Sequence, residues 1–274
     1  MMWCILAGSL AALPFQRRLA LLLGTIALGW ACLEGVVDLR GVVALGIILL
    51  IARVKMHATG RSRVLTAGGE ILLVIAALAL LVHQIPGFYN PRILDDVQAG
   101  THSAPFILYF NFDKALMPFV LLAALPTLLF TRSDYHPKCW QWLLLILSMP
   151  VLLMVAMLLG ALKIELHFPS WLGSFMLANL FFVSFAEEAL FRGYLQQRLA
   201  GWLGNLPALF IAALIFGLAH IGGGLLLVVF ASMAGLIYGL AWMWSGRLWV
   251  STLCHFALNM CHLLVFTYPI YWQG

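Results

Sequence analysis

The sequence predicts an all-α protein, a polytopic helical bundle of the membrane with about 8–10 transmembrane helices. Three observations lead there. The 274 residues are 64% hydrophobic and only 9% charged, whereas a soluble domain carries roughly a quarter charged residues. The mean hydropathy is +1.03, so the chain cannot cover itself with polar surface and its solvent must be mostly lipid. Apolar runs recur along the whole length, too long and too little alternated for barrel strands.

Taken in order, the candidate spans are 2–15, 19–35, 41–52, 68–85, 115–130, 140–162, 171–190, 205–221, 223–244 and 248–268. The opening MMWCILAGSLAALPF has no basic residue ahead of it, and Arg17 and Arg18 follow it. It reads as a short first span rather than a cleaved signal peptide. The first and third spans fall short of the roughly 20 residues a bilayer needs, which sets the lower end of the helix count.

Orientation follows from Lys and Arg. Alternate loops hold Arg17 and Arg18; Arg53, Lys55, Arg61 and Arg63; Arg132 and Lys138; Arg192 and Arg198; and Arg247. The intervening loops hold only Arg40, Arg92, Lys114 and Lys163. This bias puts the N-terminus outside and the first set of loops in the cytoplasm. With compact loops and no eukaryotic targeting signal, it fits a bacterial inner-membrane protein.

The longest polar loop, residues 85–114, faces outward on this topology and divides the chain. Residues 1–114 read as an N-terminal transmembrane extension with an outer loop that offers a surface to a partner. Residues 115–274 hold nearly all the intramembrane polar groups. The net charge of +5 comes without a basic block, so no nucleic-acid partner is expected. Five cysteines (Cys4, Cys32, Cys139, Cys254 and Cys261) form no CxxC pair, and most sit in apolar spans as small hydrophobes.

Several polar residues stand where lipid should be. Glu187 and Glu188 fall at what reads as the cytoplasmic end of the seventh span. Arg192 follows Glu188 by four residues and shares its helix face. Glu187 points about 100° away, so it needs a partner from another helix or water. His220 closes FGLAH in the eighth span, and His255, Asn259 and His262 make a one-faced stripe in the tenth. A hydrated pocket at the junction of these helices would satisfy them together. Within such a set, a carboxylate beside an imidazole takes a proton from water. An imidazole and a carboxamide at helical spacing suit the oxyanion of a tetrahedral intermediate. No serine lies in a GxSxG context, so carboxylate-activated water acting on an amide is the most economical chemistry.

EEALFR resembles the EExxxR signature of the CAAX protease and bacteriocin-processing family of glutamic intramembrane proteases. FGLAH and HFALN resemble its FxxxH and HxxxN motifs, in the same order, across residues 115–268. The resemblance implies a helical membrane fold with a cavity open to the cytosolic side, in which peptide bonds of a membrane-associated peptide or protein are cut. By position it makes Glu187 the water-activating base with His220 beside it. His255 and Asn259 become the oxyanion stabilisers, and Glu188 and Arg192 supporting residues. His262 and the front third of the chain lie outside the family pattern.

Three rival readings stand beside it. A zinc protease would use the same histidines and carboxylates as ligands, but HExxH spacing is absent, so no cofactor is expected. A non-catalytic binding or immunity protein would be expected to have lost at least one of these polar groups. A transporter would show a repeat or paired broken helices, and none is visible.

Overall fold

A computed structural model describes residues 1–272. Within them the chain forms ten helices: α1 Met2–Ala12, α2 Arg17–Leu33, α3 Leu39–Ala58, α4 Arg63–Leu81, α5 Phe112–Ala124 and α6 Cys139–Leu158, then α7 Leu172–Leu203, α8 Asn205–Leu218, α9 Leu225–Ser245 and α10 Leu248–Val265. Each of the ten expected spans has its helix. Five of them (α4, α6, α7, α9 and α10) are long and apolar enough to cross a membrane, while α1 and α8 are apolar but shorter. The protein is thus an integral membrane helical bundle.

The 85–114 loop holds a feature that its composition hid. Strands β1 (Arg92–Val97) and β2 (Phe106–Tyr109) pair antiparallel, with irregular register and Asp96 at φ 53°. RILDDV has too little alternation to announce a strand. Behind the hairpin, Glu165 accepts hydrogen bonds from Ser103 Oγ (2.7 Å), the His102 N–H (2.9 Å) and Thr101 Oγ1 (3.2 Å). A Cβ at Gly100 would fall 2.3 Å from that carboxyl group, so any larger residue would have to push Glu165 off these partners. The chain after α10 completes the seal: Trp272 N–H bonds the His102 carbonyl, and Thr267 N–H the Lys163 carbonyl.

Helix α5 is fixed at both ends. At its start, Asn90 Oδ1 accepts the Phe112 N–H (2.8 Å), and the buried Asp113 accepts from Asn90 Nδ2 (2.9 Å) and meets His83 Nδ1 (2.8 Å). At its end, the buried Lys55 ammonium of α3 donates to the carbonyls of Ala123 (3.0 Å) and Ala124 (2.6 Å), where the helix dipole is negative. Helix α4 is tied to α7 through Glu70, which accepts from Tyr194 Oη (2.9 Å) and Arg198 Nη2 (2.6 Å). One apolar core runs through front and rear spans alike, from Leu6 and Leu10 to Phe182, Phe216 and Trp242.

Helices α8 and α9 form a close hairpin over small residues, the usual device where lipid supplies no hydrophobic drive between helices. A Cβ on Gly217 would meet Ser232 Oγ at 1.9 Å, and one on Gly235 would lie 3.1 Å from Ala213 Cα. The hairpin tip passes through His220 and Gly224, the latter at φ +90°. With only 14 residues, α8 spans about 21 Å, short of the roughly 30 Å of a hydrocarbon core.

Candidate active site

The site is built on α7, and its position there corrects the sequence reading. The helix does not end near residue 190 but runs 32 residues to Leu203, so Glu187 and Glu188 lie at its middle. One α-turn, Phe185–Glu188, carries them between two wide π-helical stretches, Ala178–Ser184 and Ala189–Gln196. Such wide turns disturb the regular ladder and are frequent at functional sites.

Glu188 is wholly buried and fully engaged. Its Oε1 accepts from Arg192 Nη1 at 2.9 Å and meets His255 Nδ1 at 3.0 Å, and its Oε2 accepts from Ser251 Oγ at 2.6 Å. Arg192, equally buried, donates a second bond from Nη2 to the Gly235 carbonyl at 3.0 Å. Its guanidinium lies 4.5 Å from the Phe216 ring centre and 5.3 Å from that of Tyr238. Gly235 has no Cβ to block this approach; one built there would stand 3.2 Å from Arg192 Nη2. The pair expected from the i, i+4 spacing is therefore not an interfacial anchor. It is the centre of a buried polar knot that holds α7, α9 and α10 together.

Glu187 finds the interhelical partner its orientation required. Lys114 Nζ, in the first turn of α5, donates to Glu187 Oε1 at 2.7 Å, and both side chains are 12% exposed. The sequence reading counted Lys114 as an outer-loop charge, and the structure corrects this by turning it inward. Among the described residues, the hydrogen-bond partner of Glu187 is Lys114 alone.

His220 sits just past the end of α8. Its Nδ1 is 2.8 Å from the Phe216 carbonyl and its ring 4.8 Å from that of Phe216. A carbonyl only accepts, so Nδ1 carries the proton and Nε2 of the neutral ring is left as an acceptor. His255 stacks flat on Tyr238, with ring centres 4.6 Å apart and planes at 12°. One turn on, Asn259 Nδ2 donates to Asn179 Oδ1 of α7 at 3.2 Å, and Ser184 Oγ reaches the same oxygen at 3.3 Å. His262 takes no part in this group; its ring packs edge-on to Tyr268, 5.0 Å away.

Ser251, Asn179, Ser184, Tyr238 and Lys114 escaped the sequence reading of this group. Ser251 was within reach, since it precedes His255 by four residues and extends the stripe backward. Asn179, a lone amide in an apolar span, was a weaker signal. Tyr238 and Lys114 gave none, because their place depends on how α9 and α5 pack against α7. Among the described residues, no three His, Cys, Asp or Glu side chains gather as a metal-ligand set.

No curated protein and no solved structure matches the chain. A family model does, that of the Rce1-like group, described as type II CAAX prenyl endopeptidase Rce1-like, over residues 169–261. The matched stretch includes Glu187, Glu188, Arg192, His220, His255 and Asn259, and leaves Lys114 and His262 outside. Over residues 169–261 the protein is therefore similar to the Rce1-like CAAX endopeptidases, in line with the resemblance of its three motifs.

Proposed function

We propose that the protein is an intramembrane endopeptidase that hydrolyses a peptide bond of a membrane-associated protein or peptide with a glutamate-activated water. The observation that carries this reading is the division of labour between adjacent carboxylates. Glu188 is saturated by Arg192, Ser251 and His255, whereas Glu187 is held through Oε1 only. Glu187 Oε2 is then free to take a proton from water. His220, whose Nε2 accepts, holds the same water; the proton on Glu187 then passes to the leaving amine, directly or through His220 Nε2. Asn259 Nδ2 is a donor for the tetrahedral oxyanion. His255 joins it when a second proton at Nε2 makes it a donor on both sides.

The reaction needs no metal in this scheme. The Lys and Arg distribution suggests a bacterial inner-membrane protein with the N-terminus outside; on that topology Lys114, just after the outward loop, and His220, past the far end of α8 from Asn205, set the cavity nearer the outer side than the cytoplasmic side implied by the family resemblance. Residues 1–114 act as an extension that braces the protease core, and the hairpin in the outer loop is a docking place for a partner.

The test compares the termini of membrane proteins in cells expressing wild type or E187Q at equal level. New termini present with wild type and lost with E187Q support the reading. An unchanged profile for both E187Q and H220A would instead favour a non-catalytic binding role. Loss of cleavage on chelation, restored by zinc, would move the chemistry to a metal.

A further inference from the structure

We propose that Lys114 is the positioning residue for Glu187, supplied by a helix outside the family segment. The inference rests on the protease reading above. Two glutamates at the middle of a membrane-embedded helix need two cations, since an unpaired charge there is strongly unfavourable. Arg192 balances Glu188 from within the same helix. The counter-charge of Glu187 comes instead from α5, across the bundle.

The geometry is suited to more than neutralisation. Lys114 takes Oε1, which restrains the carboxylate and leaves Oε2 for the proposed water. Its own backbone is held, because the Lys114 N–H donates to Asp113 Oδ1 at 2.8 Å and Asp113 is locked by Asn90 and His83. Four residues on, Pro118 has no N–H for the Lys114 carbonyl, so that ladder bond is missing and the knot adds to what holds the first turn of α5. The ammonium therefore arrives from a rigid mount. A misplacement of about 1 Å at a reacting group costs on the order of 100-fold, and K114M removes both the charge and the constraint.

The experiment follows the new termini that E187Q abolishes, in cells expressing wild type, E187Q, K114M and K114R at equal level. A lipid-reconstituted assay on a peptide spanning one such terminus then separates kcat from KM. K114M is expected to lower kcat about 10- to 100-fold with KM within about twofold, and K114R to recover most of the loss. Should K114M fail to accumulate, K114Q, which keeps a donor without the charge, takes its place with the same expectation. Wild-type kcat in the uncharged variant, or a loss confined to KM, overturns the assignment while leaving the protease reading intact. If E187Q abolishes no terminus, the protease reading itself falls, and the role of Lys114 with it.

Discussion

At the scale of single residues, the site turns on how each polar group is satisfied. Asn259 is bound to Asn179 at 3.2 Å, a bond a substrate oxyanion would have to share or replace. N259A is therefore expected to lower kcat by roughly 100-fold while KM stays near wild type. Steady-state kinetics on a cleaved peptide check this, and a rise in KM alone would remove Asn259 from the oxyanion role. Arg192 shows the opposite economy. R192M leaves Glu188 buried without its cation, a change that costs about 3–5 kcal/mol in comparable pairs, read as a large drop in thermal midpoint. The sequence showed these groups clearly, because a charge or an amide in an apolar run has no innocent place to go. It gave no access to Lys114, whose importance depends on which way one first-turn side chain points.

At the scale of elements, the ten helices were legible from apolar run length, and their edges were not. The apolar run in α7 stops where polar residues begin, but Glu187, Glu188, Arg192, Gln196 and Gln197 find partners in α5, α9, α10, α7 itself and the turn after α5, so the helix continues to Leu203. The hairpin of Arg92–Val97 and Phe106–Tyr109 was illegible because its strands are short and irregular. Helix contact makes its own prediction. Gly217 faces Ser232 and the Val228 carbonyl, both within 2.6 Å of any added Cβ. G217L should push α8 off α9, displace His220, and abolish cleavage while Glu187 and Glu188 stay in place. Crosslinking between cysteines placed on α8 and α9, weakened in G217L, would record the separation.

At the scale of the whole molecule, the end of the bundle that carries the 85–114 loop is closed by the strap after α10, the hairpin and Glu165. Burial alone would raise the Glu165 carboxyl, but the bonds from Ser103, the His102 N–H and Thr101 outweigh it and hold the group below its ordinary value. A carboxylate lowered by folding stabilises the fold above its unfolded pKa of about 4.3 and loses that contribution as pH falls through its folded value. E165Q should accordingly melt a few degrees below wild type near neutral pH, roughly the shift that about 1 kcal/mol produces. The gap should close as the buffer is taken below about pH 4. A gap that persists in acid would mean that Glu165 acts by packing alone. The short α8 carries a last consequence for the surroundings. A helix that stops about 21 Å along its path leaves a notch on one flank, and the adjoining leaflet must sag or thin to cover it. On the protease reading, acyl-chain length in the host membrane is expected to alter how readily a substrate reaches His220 and Glu187, which cleavage rates in bilayers of graded thickness would check.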